Sequence, residues 1–161
     1  MTAEPSLHPR DRWFEDWSAG DSFTSEETYV MAQDRMIEFA AEFDPQPFHT
    51  DPVAAADTSF GQLVASGWHT GSALMRLNTS LLGQASMGAF GVDELRWHQP
   101  VVPGDELQLT WTIEETRRSS SKPDRGIVRV RQELKNQRGD LVMSQVAIML
   151  MRTRAANTAA E

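Results

Sequence analysis

Cysteine is absent from the 161-residue chain, and that absence removes disulfide staples, thiolate nucleophiles and cysteine metal ligands together. It suits a reducing compartment. Bases are scarce beside acids: 15 Lys and Arg face 23 Asp and Glu, for a net charge of −8. Such a surface repels nucleic acid at long range unless a local basic cluster opposes it, and none stands out. No run approaches the roughly 20 apolar residues that cross a bilayer, and MTAEPSLHPRDRW holds no apolar stretch of signal-peptide length. A cytoplasmic protein without nucleic-acid or membrane partners is therefore expected. Internal repeats and long linkers are lacking as well, so a chain of this length reads as one compact domain. Residues 11–152 form that domain in this reading, with a loose segment at 1–10 and a loose tail at 153–161.

Within the body, the hydrophobic period changes along the chain. Gly20-Asp21 reads as a turn followed by an extended segment. In DRMIEFAAEFD the apolar Met36, Ile37, Ala40 and Phe43 fall on one helical face, with Asp34 in the first turn and Pro45 ending the run. Asp51 and Pro52 look like the N-cap and first position of a short helix, which gives Asp51 a structural task. Ser66 to Leu82 reads as a long helix in which Leu74, Leu77, Asn78, Leu81 and Leu82 make a stripe. Trp68, Ala73 and Met75 spread apolar character around it, so burial on most sides is expected.

From Gly88 onward the pattern is that of strands. ELQLTWTIE and GIVRVRQEL alternate strictly, whereas LVMSQVAIMLM is apolar on both faces, as a central or interface strand would be. Turn chemistry separates them at Pro103-Gly104-Asp105, at 122–126 and at 136–140. The order is strand, helix, short helix, long helix, then four antiparallel strands. A long helix beside a curled antiparallel sheet is a two-layer α+β fold.

One stretch admits a chemical reading beside a structural one. EFDPQPFHTDP sets Asp44 and His49 in a bend stiffened by Pro45 and Pro47, with Phe43 and Phe48 beside them. Asp44 closing a turn is one reading; an acid and a base facing a small substrate is the other. Phe43, Phe48 and the prolines are expected to desolvate the pair and make the free carboxylate costlier. Ser66 can cap the long helix, while Gly67, lacking a Cβ, either offers an unpaired N–H to a developing negative charge or only allows tight packing. His69, in the same first turn, is expected to be packed, with a place in the pocket as the other option. His8 and His98 read as structural or exposed, Trp97 and Trp111 as core or interface. His49, Asp51 and His69 match no metal-ligand spacing, so no metal is expected.

With Asp44, His49 and Gly67 at these spacings, the chain from about Trp17 to Arg152 resembles the MaoC-like hot-dog proteins. These include (R)-specific enoyl-CoA hydratases and dehydratases. Their signature runs aspartate, any residue, Asn-Pro, an aliphatic residue and His; here it reads Asp44, Pro45, Gln46, Pro47, Phe48, His49. A His-Gly or similar pair follows, and falls on Gly67; GVDELRWHQPVVPGDEL is similar to the family's next strand and turn. The resemblance implies a hot-dog fold, an antiparallel sheet wrapped around a long central helix. It further implies a hydro-lyase acting on an acyl-CoA thioester, with Asp44 as principal base, His49 orienting the water and Gly67 as oxyanion donor. Gln46, Phe48, Ser66, Trp68 and His69 would contact substrate, and coenzyme A would enter only as part of it, with no cofactor. Gln46 and Phe43 depart from the family's usual Asn and Gly. Lys122, Arg125, Arg129 and Arg131 are candidates for coenzyme A phosphates. A homodimer is expected, its sheets joined through the apolar run from Val142 to Met151. A hot-dog thioesterase and a non-catalytic acyl-binding domain are the alternatives.

Overall fold

The computed structural model describes residues 7–158. Short strands β1 (Ser22–Thr24) and β2 (Tyr29–Val30) precede helix α1 (Gln33–Phe43), single-turn α2 (Pro47–Thr50), short α3 (Pro52–Ala56) and long α4 (Gly67–Leu81). Four long strands follow: β3 (Ser86–Trp97), β4 (Glu106–Arg118), β5 (Arg125–Lys135) and β6 (Leu141–Arg152); α5 (Arg154–Thr158) comes last. The sheet is antiparallel in the order β1-β4-β5-β6-β3, and β2 pairs beside β1 on the same edge of β4. This is the α+β hot-dog arrangement, with α4 against the sheet's inner face.

Strict alternation is what lets β4 and β5 serve as walls. Leu107, Leu109, Trp111 and Ile113 from β4, with Val128, Val130 and Leu134 from β5, are buried against α4. Each such leucine or isoleucine contributes about 1.5–3 kcal/mol by leaving water. Asn78 sits within this core and is satisfied there: its Oδ1 accepts from Trp111 Nε1 at 2.9 Å and from Gln132 Nε2 at 2.8 Å. Such paired groups fix the rotation of α4, because a turned helix would strand them unpaired.

Several expectations need correction. Burial of α4 is one-sided: Leu74, Leu77 and Leu81 face the core, while Trp68 and Met75 are exposed. The two-faced apolar run of β6 is central, flanked by β5 and β3, and so cannot be a sheet-to-sheet edge. The free edge is β3, which lies beside β6 rather than β4 because 98–105 carries the chain across. β3 bears exposed Phe90, Val92 and Trp97. Its pairing slips between Asp93 and Arg96, where Glu94 adopts a φ of 51°, and such a bulge re-aims the strand end carrying Trp97. The expected loose ends lie partly outside the described residues. Within them, Pro9 is buried and Arg154 is held by Asp16, so contacts anchor what was expected to hang free.

Candidate active site

The proline bend is built by three local decisions. α1 ends at Phe43, and Asp44 leaves the helical region at φ −153°, ψ 65°. Pro47 opens α2, a single turn whose last two residues include His49. Asp51 caps α3 by accepting from the N–H groups of Val53 and Ala54, so its structural assignment holds. Residues 64–66 then run past the bend and tie it to the start of α4. The Val64 N–H donates to the Phe48 carbonyl at 3.0 Å, and Ser66 Oγ donates to Asp44 Oδ2 at 2.8 Å.

His49 is 6% exposed, and its ring is fixed from behind. Nδ1 lies 2.8 Å from the Val64 carbonyl oxygen; since a carbonyl can only accept, Nδ1 must carry a proton. In neutral His49 the lone pair therefore belongs to Nε2, which sits 3.3 Å from Asp44 Oδ2. Two acceptors at that separation repel unless a proton lies between them or a water bridges both from one side. Asp44 is a weaker base than an isolated carboxylate. The Gln46 amide, donating to Oδ1 at 2.7 Å, lowers its pKa most; the Ser66 hydroxyl and the nearby imidazole act in the same direction against partial burial. The sequence suggested the opposite shift, from desolvation. Phe43 is 64% exposed and packs at a tilt against Phe39 instead, so it does not dry the carboxylate.

Asp44, His49 and Gly67 line one cavity of about 350 Å³, with Phe48, Phe60 and Trp68. Gly67 opens α4, so its N–H has no intrahelical acceptor, and Ser66 Oγ takes the next N–H, that of Trp68. The packing reason for glycine is visible here. A Cβ at position 67 would lie 2.6 Å from Trp97 Cε2, and Trp97 Nε1 donates to the Gly67 carbonyl at 2.9 Å. Close packing at Gly67 is therefore observed, beside an N–H that no helical acceptor takes.

The other candidates divide. Phe48 and Trp68 line the cavity. Gln46 and Ser66 act on Asp44 through hydrogen bonds and are not among the lining residues. His69 faces the other flank of α4, stacked on Phe39 at 4.8 Å with Tyr29 edge-on at 6.5 Å, so it leaves the substrate group. Trp97, expected in the core or an interface, is not in the core: it is 45% exposed and lines the cavity. His98 lines the cavity too, its Nε2 at 2.8 Å from Ser144 Oγ. Gln99, Pro100 and Val101 complete that side; only their likeness to the family's later strand and turn pointed to them. The phosphate candidates are largely engaged elsewhere. Arg125 pairs with Asp124, Arg129 with Asp93, and Arg131 with Glu94 and Glu114, and neither they nor Lys122 line the cavity. No cluster of three metal-ligating side chains occurs among the described residues.

The family model for the MaoC like domain matches residues 16–136, spanning the bend, α4 and most of the sheet. The chain belongs to the MaoC-like dehydratase family. A crystal structure of the MaoC-like dehydratase from Rhodospirillum rubrum is similar with a TM-score of 0.81 and 39% identity, covering 89% of this chain and 98% of that one. The R-hydratase PhaJ1 from Pseudomonas aeruginosa is similar with a TM-score of 0.69 and 26% identity, covering 88% of this chain and 85% of that one. Protein MaoC of Klebsiella aerogenes is 31% identical over 110 residues, 68% of this chain. This MaoC-like chain spans only about a third of that protein, 32% of its length. No helix among the described residues of this family member is long and apolar enough to cross a membrane.

Proposed function

We propose that this MaoC-like protein is a hydro-lyase interconverting a trans-2-enoyl-CoA and its (R)-3-hydroxyacyl-CoA. The observation that carries the reading is the 3.3 Å approach of His49 Nε2 to Asp44 Oδ2 in the cavity that Gly67 also lines. The names of an R-hydratase and a MaoC-like dehydratase among its structural relatives support it.

A water held between Nε2 and Oδ2 can donate one hydrogen to each, leaving its oxygen lone pairs for the substrate. As that oxygen bonds to Cβ, the carbon–carbon π pair moves toward the thioester, and the water gives up a proton to the dyad. The dyad returns a proton to Cα, so one water is added in all. Charge on the thioester oxygen is met by the Gly67 N–H at the positive end of α4. The hydrogen bonds to both Asp44 oxygens make Nε2 the better proton acceptor, so we assign the base to His49, where the sequence suggested Asp44. Asp44 then holds the water's second hydrogen and offsets the imidazolium charge. No cofactor is needed, and coenzyme A serves only as the acyl carrier.

The protein acts in this reading as a cytoplasmic homodimer joined along the exposed edge β3. A clean monomer by light scattering would overturn that pairing. Incubation with crotonyl-CoA tests the chemistry: loss of the conjugated enoyl absorbance without free thiol is expected. Thiol release would make the protein a thioesterase, and silence from folded protein would leave an acyl-binding domain.

A further inference from the structure

Four of the residues lining the Asp44–His49 cavity are aromatic: Phe48, Phe60, Trp68 and Trp97. They form two contacting pairs. Phe48 and Phe60 have centroids 5.2 Å apart with planes at 49°, and Trp68 meets Trp97 edge-on at 5.2 Å and 85°. Each pair adjoins one part of the reacting machinery. Phe48 stands edge-on to His49 at 4.5 Å, and Trp97 packs over Gly67, with its indole N–H fixed on the Gly67 carbonyl. Two of the rings, which lie off the β3 edge proposed as the dimer seam, are also open: Phe60 and Trp68 are 41% and 60% exposed. Large apolar rings left facing water around a cavity mark a surface made to be covered.

An acyl group whose Cβ faces the dyad and whose thioester oxygen faces Gly67 extends among these rings. A flexible saturated chain gains there only by leaving water, in proportion to its area. A flat ring gains edge-to-face contacts as well, worth about a two- to tenfold preference beyond area, and has fewer torsions to freeze. We infer that the substrate class of this site is an enoyl thioester bearing an aryl group or similarly planar conjugated β-substituent, with Trp68 and Trp97 as specificity-determining residues. This rests on the acyl-thioester reading above.

Two saturated probes of equal carbon count separate the possibilities, 3-phenylpropanoyl-CoA and nonanoyl-CoA, titrated calorimetrically into the intact protein. Area alone favours the straight chain, so the expected result, phenylpropanoyl binding about fivefold tighter, runs against the hydrophobic trend. Trp68→Leu and Trp97→Leu should each bring that ratio to one or below. Near-UV circular dichroism confirms the fold, and exposed Trp68 remains informative where Trp97→Leu does not fold. Equal or tighter nonanoyl binding by the wild type would overturn the inference, as would a ratio untouched by the substitutions. Crotonyl-CoA hydration measured in parallel keeps the two readings apart. Turnover without an aryl preference removes this inference alone, and an aryl preference without turnover removes the hydratase alone.

Discussion

Two buried histidines flank the start of α4, and they differ in everything except burial. His49 is 6% exposed and His69 is 5% exposed. Behind His49, the Val64 carbonyl fixes the tautomer, and its other nitrogen faces a carboxylate in a cavity. His69 is stacked between rings, and its buried Nδ1 has no hydrogen-bond partner. Burial, chiefly, and the nearby Arg35 charge lower its pKa, so it stays neutral near pH 7. Burial thus does not separate the histidine assigned to the proposed dyad from the packing one; the partner of each ring nitrogen does.

The largest test of this contrast removes the dyad. His49→Ala and Asp44→Asn should each lower kcat/KM for enoyl hydration by about a thousandfold with the near-UV spectrum retained. His69→Phe, which keeps the stacking, should change it less than about threefold. Comparable losses at both histidines would erase the distinction.

Gly67→Ala comes next, because it separates packing from the open amide. The new methyl must displace the Trp97 ring, and hydration should fall about tenfold or more as the amide shifts. Adding Trp97→Leu should recover much of the lost Tm, since the two substitutions share a contact, but not the rate, because in the proposed reading the methyl itself also keeps the thioester oxygen from the N–H. Recovery of both would mean that Gly67 only makes room.

Ser66→Ala removes a donor to Asp44 and the acceptor of the Trp68 N–H together, at about 1–2 kcal/mol of stability. A carboxyl with a lowered folded pKa contributes stability above its ordinary range and loses it as pH falls through the lowered value. Without Ser66 that loss should begin at higher pH, visible as an upward shift in acid unfolding and in the part of the pH–rate profile due to Asp44.

The smallest effect belongs to His69. Its folded pKa lies below the ordinary 6.5, so the unfolded chain takes up a proton that the folded chain resists. Its contribution is intact above that value and lost on acidification below it. His69→Phe should therefore narrow the difference in Tm between neutral and mildly acidic buffer.

Periodicity and spacing revealed the bend, the capped α3, the long α4 and the alternating β4 and β5, because those features depend on neighbours within a few residues. What stayed hidden depends mostly on chain crossings. Trp97 joins the site only because β3 crosses to the far side of β6 and ends beside Gly67, 30 positions away along the chain. The direction of the Asp44 shift comes first from Gln46, only two positions on, because spacing alone does not say where its amide points; Ser66, 22 positions on, adds to it through a hydroxyl that no local pattern aims at a carboxylate. A run apolar on both faces fits a central strand and an interface strand equally, and only the strand order makes β6 central. Likewise, the pairs made by Arg129 and Arg131 come from residues on neighbouring strands and from the β3 edge.

Isotope-labelled water gives the most direct measurement of the central claim, that the Asp44–His49 pair delivers one water to Cβ. Crotonyl-CoA turned over in ¹⁸O water should yield (R)-3-hydroxybutyryl-CoA labelled at the C3 hydroxyl, and no label should enter with His49→Ala. Label appearing in a released carboxylate, or C3 label undiminished in that variant, would contradict it.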